Sequence, residues 1–286
     1  MLSNKVREIM SKDLVPVSAT EPILQAMRLM VERDVGRVLI TENESPVGIF
    51  TETDVLRRVV SKGLDSSRTP VKKVMTAPIQ TVPEDTHIVE ALGRMYRAKF
   101  RHLAVVDSSG TIVGIASMRG ILKLAVELGR GLPETRTVGS IMSRRVVTVA
   151  ASVPIAEVIA LMVKKNAVAV VVLSRGAVAG IFTERDVLTR VAVRSVDARR
   201  TPVRAVMTEK PVTASSKALV GEVLEKMYEG DFRNMPILGE KGELIGIVSM
   251  ADVLKFARAL DIDESVRKSW REIEEFWQSD DQYTPG

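Results

Sequence analysis

One short motif occurs four times along the chain at fixed spacing, and that repetition constrains the fold more than any single residue does. Gly48-Ile49-Phe50-Thr51-Glu52-Thr53-Asp54 returns as Gly114-Ile115-Ala116-Ser117-Met118-Arg119-Gly120. It returns again as Gly180-Ile181-Phe182-Thr183-Glu184-Arg185-Asp186 and as Gly246-Ile247-Val248-Ser249-Met250-Ala251-Asp252. Thr51 and Ser117 lie 66 positions apart, as do Thr183 and Ser249, while Thr51 and Thr183 lie 132 apart. Other landmarks keep the longer step. Val6 and Met10 return as Val138 and Met142, Met75 as Met207, Thr69-Pro70 as Thr201-Pro202, and Phe100-Arg101 as Phe232-Arg233. A fixed period of this kind means copies of one supersecondary unit, here two tandem pairs with no net insertion between the landmarks.

One repeat reads as strand, helix, strand, strand, helix. Leu14 to Val17 is a short extended segment. Thr20 stands where a helix N-cap belongs, before Pro22 and an apolar stripe at Ile23, Met27 and Met30, with Leu24 and Val31 beside it at helical spacing. Val38 to Ile40 and Val47 to Phe50 are apolar strands joined by a polar turn over Thr41 to Pro46. Thr51 opens a second helix carrying Val55, Leu56, Val59 and Val60. The third repeat follows suit over Val146 to Val149, Ile155 to Met162, Val168 to Leu173, Val178 to Phe182 and Thr183 to Val193. The fold class is α/β (α+β), with four β-α-β-β-α units. The expected boundaries are 1–62, 63–128, 138–194 and 195–260, with a linker at 129–137 and an acidic helical tail at 261–286. A unit of roughly 55 residues is near the lower limit for an independent core, so pairing is expected to bury the faces that one unit leaves exposed.

Composition excludes several classes. The chain has no cysteine and only two histidines, His87 and His102. Disulfides, Cys-based zinc or iron–sulfur sites and multi-histidine metal sites are therefore excluded, and no metal is expected. No apolar run reaches the ~20 residues of a membrane span, and the first residues lack a signal-peptide stretch, so a soluble cytoplasmic protein is expected. The net charge is +5, but from Asp261 onward there are three basic and eight acidic residues, leaving the body at +10. A basic body suits a partner bearing phosphates, and equally suits an ordinary mixed surface. Only four Asn and four Gln occur, which leans toward a heat-adapted source. No Walker-type loop or nucleophile–base pair is present, so neither enzymatic activity nor a catalytic cofactor is expected.

The repeated corner has a plain structural reading. Thr or Ser followed three residues later by an acid is a capping-box pattern, with the acid favoured in the first turn by the helix dipole. A functional reading adds to it. Helix N-terminal amides suit a phosphate, a hydroxyl there can donate a further bond, and a carboxylate one turn in can accept from two ribose hydroxyls, as acids do in dinucleotide folds.

Met-Ser/Thr lead-ins precede every corner (Met10-Ser11, Met75-Thr76, Met142-Ser143, Met207-Thr208), and segments such as Phe100-Arg101-His102-Leu103 and Phe232-Arg233-Asn234-Met235 lie between. Together these resemble cystathionine-beta-synthase-type (CBS) domains over residues 6–260. The resemblance implies strand–helix–strand–strand–helix units paired into two Bateman modules, in a layout similar to the gamma subunit of AMP-activated protein kinase. It implies adenine nucleotides (AMP, ADP or ATP, with S-adenosylmethionine also open) bound in clefts between paired units. Asp54, Asp186 and Asp252 match the family's ribose-binding acid, and Thr51, Thr183 and Ser249 its phosphate-side hydroxyl. The second corner keeps Ser117 but has Gly120 in place of the acid, so that cleft is expected to be weak or empty. Arg101, His102 and Arg233 match positions that face phosphates across the module. Gly36-Arg37 and Ala167-Val168 stand in the comparable place in repeats one and three. Arg68 and Arg200 are further candidates to approach phosphate, and Val15 or Val147 to flank an adenine, against a bland reading of the latter as core.

In the tail, Val266, Trp270, Ile273 and Trp277 form one apolar helix face. It can dock on its own modules, on a second copy in a homodimer, or on a partner. The function expected is a stand-alone regulatory or energy-sensing protein that responds to adenine nucleotide by rearranging its modules and acts on a protein partner. Nucleic-acid binding is the alternative on charge, against only 4% aromatic residues. A purely structural assembly module, with the corners as caps only, is the other.

Overall fold

The computed structural model describes residues 5–98, 100–121 and 136–254. Most of the expected linker and the whole C-terminal tail lie outside the described residues. Repeat one runs β1 (Pro16–Ser18), α1 (Ile23–Glu32), β2 (Arg37–Glu42), β3 (Ser45–Thr51) and α2 (Glu52–Asp54). Repeat two runs β4 (Thr81–Pro83), α3 (Ile88–Arg97), β5 (His102–Val106), β6 (Ile112–Ser117) and a helical turn at 118–121, α4. Repeat three runs β7 (Thr148–Ala150), α5 (Ile155–Lys164), β8 (Ala169–Ser174), β9 (Ala177–Thr183) and α6 (Glu184–Asp186). β10 (Thr208–Glu209) precedes repeat four, which runs β11 (Ala214–Ser215), α7 (Val220–Glu229), β12 (Asn234–Leu238), β13 (Leu244–Ser249) and α8 (Met250–Leu254). Each repeat builds a small sheet whose first strand lies parallel to the second and whose second is antiparallel to the third. A crossover helix spans the parallel step, as that pairing requires.

Local chemistry sets the element boundaries, and two expectations need correction. Thr20 does not cap α1; its Oγ1 lies 3.0 Å from Ser18 Oγ, and the helix starts after Pro22. The first free amides of α1, at Ile23 and Leu24, donate instead to the carbonyls of Thr69 and Ser66, both at 2.9 Å. Ile155 and Ala156 donate to Thr201 and Ala198 in the same way. The Ser/Thr-Pro segments thus serve as backbone caps, satisfying the orphan donors of a helix start. The turn between β2 and β3 is also tighter than Thr41 to Pro46. Only Asn43 and Glu44 separate the strands, at φ +48° and +64°, the left-handed pair that fits a two-residue hairpin to the strand twist.

The lead-in segments are exchanged within each pair. The Val6 amide donates to Thr86 O, and Ser11 bridges Ile115 of β6. Thr76 bridges Ile49 of β3 in return. In the second pair, Ser143 bridges Ile247 and β10 pairs with β9. Each lead-in methionine then packs on a corner glycine of the other repeat. A Cβ on Gly114 would stand 2.5 Å from Met10 Sδ, and one on Gly48 2.7 Å from Met75 Sδ. Gly180 with Met207 and Gly246 with Met142 repeat the contact.

The large apolar cores run between the pairs rather than within them. One joins repeats one and three through Met27, Phe50, Leu56, Ile159, Met162 and Phe182. The other joins repeats two and four through Leu92, Met95, Ile121, Leu224, Met227 and Met235. The apolar cluster between the sheets of the first pair is small, with Leu39, Ala104 and Ile115 at its centre. Each fully buried side chain of this size contributes about 1.5–3 kcal/mol, so the inter-pair cores carry most of the cohesion. The four repeats therefore close a ring in the order one, two, four, three, and the two modules stack within one chain. The corners point at the ring's centre.

Candidate functional site

Three corners form complete caps around a buried acid. Thr51 N and Oγ1 donate to Asp54 Oδ2 at 2.9 and 2.8 Å, and the Asp54 amide donates back to Thr51 Oγ1 at 3.4 Å. Thr183 and Asp186 repeat this at 2.8, 2.7 and 3.4 Å. Ser249 and Asp252 do so at 2.8, 2.6 and 3.2 Å. The three carboxylates are 4–6% exposed. Burial pushes the Asp54 carboxyl up, against the opposing pull of Thr51, Arg58 and Thr76. Burial likewise raises Asp186, against Thr183, Arg190 and Arg185. The remaining oxygens are engaged from the lead-in side. Thr76 donates to Asp54 Oδ1 at 3.2 Å, Arg58 lies 3.4 Å from that oxygen, and Arg190 lies 3.2 Å from Asp186 Oδ1.

The second corner differs in shape as well as charge. The Gly120 amide donates to Ser117 Oγ at 3.0 Å, so half of the cap survives. A Cβ at Gly120 would stand 2.8 Å from the carbonyl oxygen of Ile9. The lead-in backbone occupies the space that an acid's side chain would need.

Arg101 and Arg233 do reach the centre, but they meet carboxylates of the other module there. Arg101 Nη2 lies 2.6 Å from Glu184 Oε2 and donates to Thr53. Arg233 Nη2 lies 2.6 Å from Glu52 Oε2. Arg185 adds a 3.2 Å pair to Glu52 Oε1 and a second pair to Asp34. Burial pushes the Glu52 carboxyl up, but Arg233, Arg101 and Arg185 outweigh it and hold the group below the ordinary carboxylate value. His102 is pushed well below the ordinary imidazole range, first by burial and then by the charges of Arg37, Arg101 and Arg233, so it stands neutral at physiological pH.

Sequence reasoning missed Glu52 and Glu184. Its available signal was the second corner position, which is Glu in repeats one and three and Met in repeats two and four. Two other expectations also change. Arg68 and Arg200 are about nine-tenths exposed and pair with Asp65 and Asp197 on the surface, away from the corners. The strand register puts Val168-Ala169, one residue further on, opposite Thr183 where Gly36-Arg37 meets Thr51. Val15 is buried in the core, and Val147 packs against it.

Two cavities open at the centre. One of about 160 Å³ brings together the hydroxyls of Ser117, Thr183 and Ser249 with Arg101 and Arg233. The other, about 770 Å³, lies against the second corner and the first lead-in, and is lined by Arg37, His102, Ser117 and Arg119. Chemically the centre is a set of guanidinium groups balanced by internal carboxylates, a set that an incoming anion can enter by exchange.

A family model for the CBS domain matches residues 6–61, 71–127, 138–193 and 203–259. The chain is 29% identical over 292 residues to the CBS domain-containing protein CBSCBSPB1 of Arabidopsis thaliana, a match covering 89% of this chain and 54% of that protein. The chain thus spans about half the length of the curated relatives it matches. Among solved structures it is similar to protein MJ1225 of Methanocaldococcus jannaschii, described as a candidate archaeal homologue of γ-AMPK. The TM-score is 0.74 at 21% identity, covering 88% of this chain and 99% of that one. A conserved protein of Pyrococcus horikoshii matches with TM-score 0.61 at 22% identity, covering 88% and 98%. These two likenesses show the fold, a single chain of four repeats. No helix among the described residues is long and apolar enough to cross a membrane.

Proposed function

The chain belongs to the CBS domain family, and on that premise we propose that it is a regulatory protein binding adenine nucleotides at its first, third and fourth corners. The observation that carries this reading is the threefold recurrence of one constellation, a Thr or Ser hydroxyl and a buried Asp one turn apart, with Thr183 and Ser249 lining the cavity that also holds Arg101 and Arg233. Asp54, Asp186 and Asp252 would receive the ribose hydroxyls. The cap uses only Oδ2 of each acid; at Asp54 and Asp186 the ribose hydroxyls would share or displace the Thr76, Arg58 and Arg190 contacts on Oδ1. Thr51, Thr183 and Ser249 would meet phosphate at the helix starts. Arg101 and Arg233 would turn from Glu184 and Glu52 to phosphate, with His102 beside them as a neutral partner. The second corner, with Gly120, is left without nucleotide.

The finer form of the proposal is a sensor of AMP, ADP and ATP, as the resemblance to the gamma subunit of AMP-activated protein kinase implies. S-Adenosylmethionine shares the adenosyl group and is the rival ligand for the same clefts. Ligand would reset the diagonal pairs at the ring centre, and the change in module arrangement would be read by a protein partner. No catalytic role is assigned to any residue.

Calorimetric titration of the nucleotide-free chain with AMP, ADP, ATP and S-adenosylmethionine tests this, repeated on Asp54→Ala, Asp186→Ala and Asp252→Ala. Saturable binding that loses one equivalent per variant is expected. Absence of binding by all four ligands to folded protein leaves the corners as helix caps and ends the reading.

A further inference from the structure

We infer that the cleft at the second corner takes an oligophosphate anion without a nucleoside, held by Arg37, Arg119 and the hydroxyl of Ser117. The inference rests on the reading above only in leaving nucleotide to the other three corners.

The ribose side of this cleft has no acid, and the carbonyl oxygen of Ile9 would stand 2.8 Å from the first side-chain atom of one. A cavity of about 770 Å³ opens between Gly120 and the cations Arg37 and Arg119, within the range of small-molecule sites. Sugar recognition is removed, and the space beside the cations remains.

Arg37 is the residue without an evident structural task. Burial lowers its guanidinium to about 10, and Asp13 opposes that only at a distance. Among the described residues the Arg37 side chain makes no ion pair or hydrogen bond, unlike Arg185 and Arg233 in the same wall. The equivalent β-strand starts carry a neutral His102, Ala169 and Asn234, so the position itself does not need a cation. A partly buried cation without a partner is costly, and an anion in the cavity would remove the cost. Arg119 reaches the same cavity from α4 and holds only a half-exposed pair with Asp231, which it can release. His102 is held neutral first by burial and then by three arginines, so it adds no charge of its own to this wall. Glu8, Asp34 and Glu229 also line the wall, and Asp34 is already neutralised by Arg185. Glu8 and Glu229 oppose an anion, so a ligand here must offset them with several phosphate oxygens that guanidinium groups bind bidentately.

The test is calorimetric titration of tripolyphosphate into the full chain, nucleotide-free and then saturated with AMP, with Arg37→Gln and the more exposed Arg119→Gln in parallel. One tripolyphosphate per chain is expected, undiminished by AMP, with affinity falling about tenfold or more in either variant while AMP stoichiometry holds. Displacement of AMP by tripolyphosphate would assign the anion to the phosphate ends of the nucleotide clefts and overturn the inference. So would the absence of binding to the wild-type chain, or unchanged affinity in both variants. If AMP itself fails to bind, the nucleotide reading falls, and the titration of the nucleotide-free chain still decides this one.

Discussion

Glu52 and Arg233 stand 181 positions apart in the chain and 2.6 Å apart at the centre of the ring. Glu184 and Arg101 make the equivalent pair in the other direction, again at 2.6 Å. The ring closes in the order one, two, four, three, so the first pair joins repeats one and four and the second joins three and two. Both run along its diagonals. The glutamates are 1–2% exposed, so their charges depend on these arginines.

Removing one member of such a pair leaves a buried charge short of its partner. Arg233→Met is expected to cost about 3 kcal/mol by chemical denaturation, because Glu52 then keeps the 3.2 Å pair with Arg185 and the more distant charge of Arg101. Glu52→Gln combined with Arg233→Met should recover part of that loss, since no buried carboxylate remains. A double variant that is simply the sum of the two singles would show that the diagonal pair contributes no coupling.

The same pair fixes the sign of an acid response. Glu52 is held below the ordinary glutamate value of 4.5 in the folded chain. Its contribution is therefore complete above 4.5 and lost as pH falls through the lower folded value. Asp54 and Asp186 act in the opposite sense. Burial raises them above 3.8, so their cost at neutral pH is relieved as pH falls through the raised values. Urea midpoints should hold or rise slightly on mild acidification and then drop below pH 4.5. Glu52→Gln should flatten that drop. Parallel profiles for wild type and Glu52→Gln would remove Glu52 from the account.

Corner glycines and lead-in methionines form one device, and it can be tested as one. At Gly114 all three nearest atoms to an added Cβ belong to Met10, at 2.5, 2.8 and 3.1 Å. Gly114→Ala should destabilise by about 1–3 kcal/mol through overpacking, and Met10→Ala should offset much of that loss when combined with it. Gly48 is the control. There the backbone oxygen of Thr76 stands at 2.9 Å, so Met75→Ala should rescue Gly48→Ala less well. Equal rescue at both sites would mean that the methionine contact alone sets the cost.

Much of this architecture was legible because it is periodic. The 66- and 132-residue steps gave the four corners, and the capping pattern at Thr51, Thr183 and Ser249 is a local rule that the structure follows. What was not legible depends on which repeat faces which. Nothing local says that Met10 packs on Gly114 rather than on Gly48. Pro22 and Thr20 both looked like helix-start signals, while the actual caps are the Thr69 and Ser66 carbonyls from the next repeat. The resemblance marks Arg101 and Arg233 as cations facing phosphate across the module. Their partners Glu52 and Glu184 were hidden inside a motif whose first and last positions already had an explanation.

The three acids serve the cap and the proposed ribose contact through different atoms, so the two roles separate by substitution. Asp54→Ala removes the acceptor for Thr51 N and Oγ1 and should cost about 1 kcal/mol, as loss of a cap does. Asp54→Asn keeps one oxygen that can accept from the Thr51 amide but removes the charge. Its stability should lie nearer to wild type, while one equivalent of AMP is still lost. The same ordering is expected at Asp186 and Asp252, measured by urea midpoint for stability and by calorimetric stoichiometry for binding. If the Asn variants bind the full complement of AMP and only the Ala variants fail, the carboxylate acts through the cap alone and the ribose assignment is wrong.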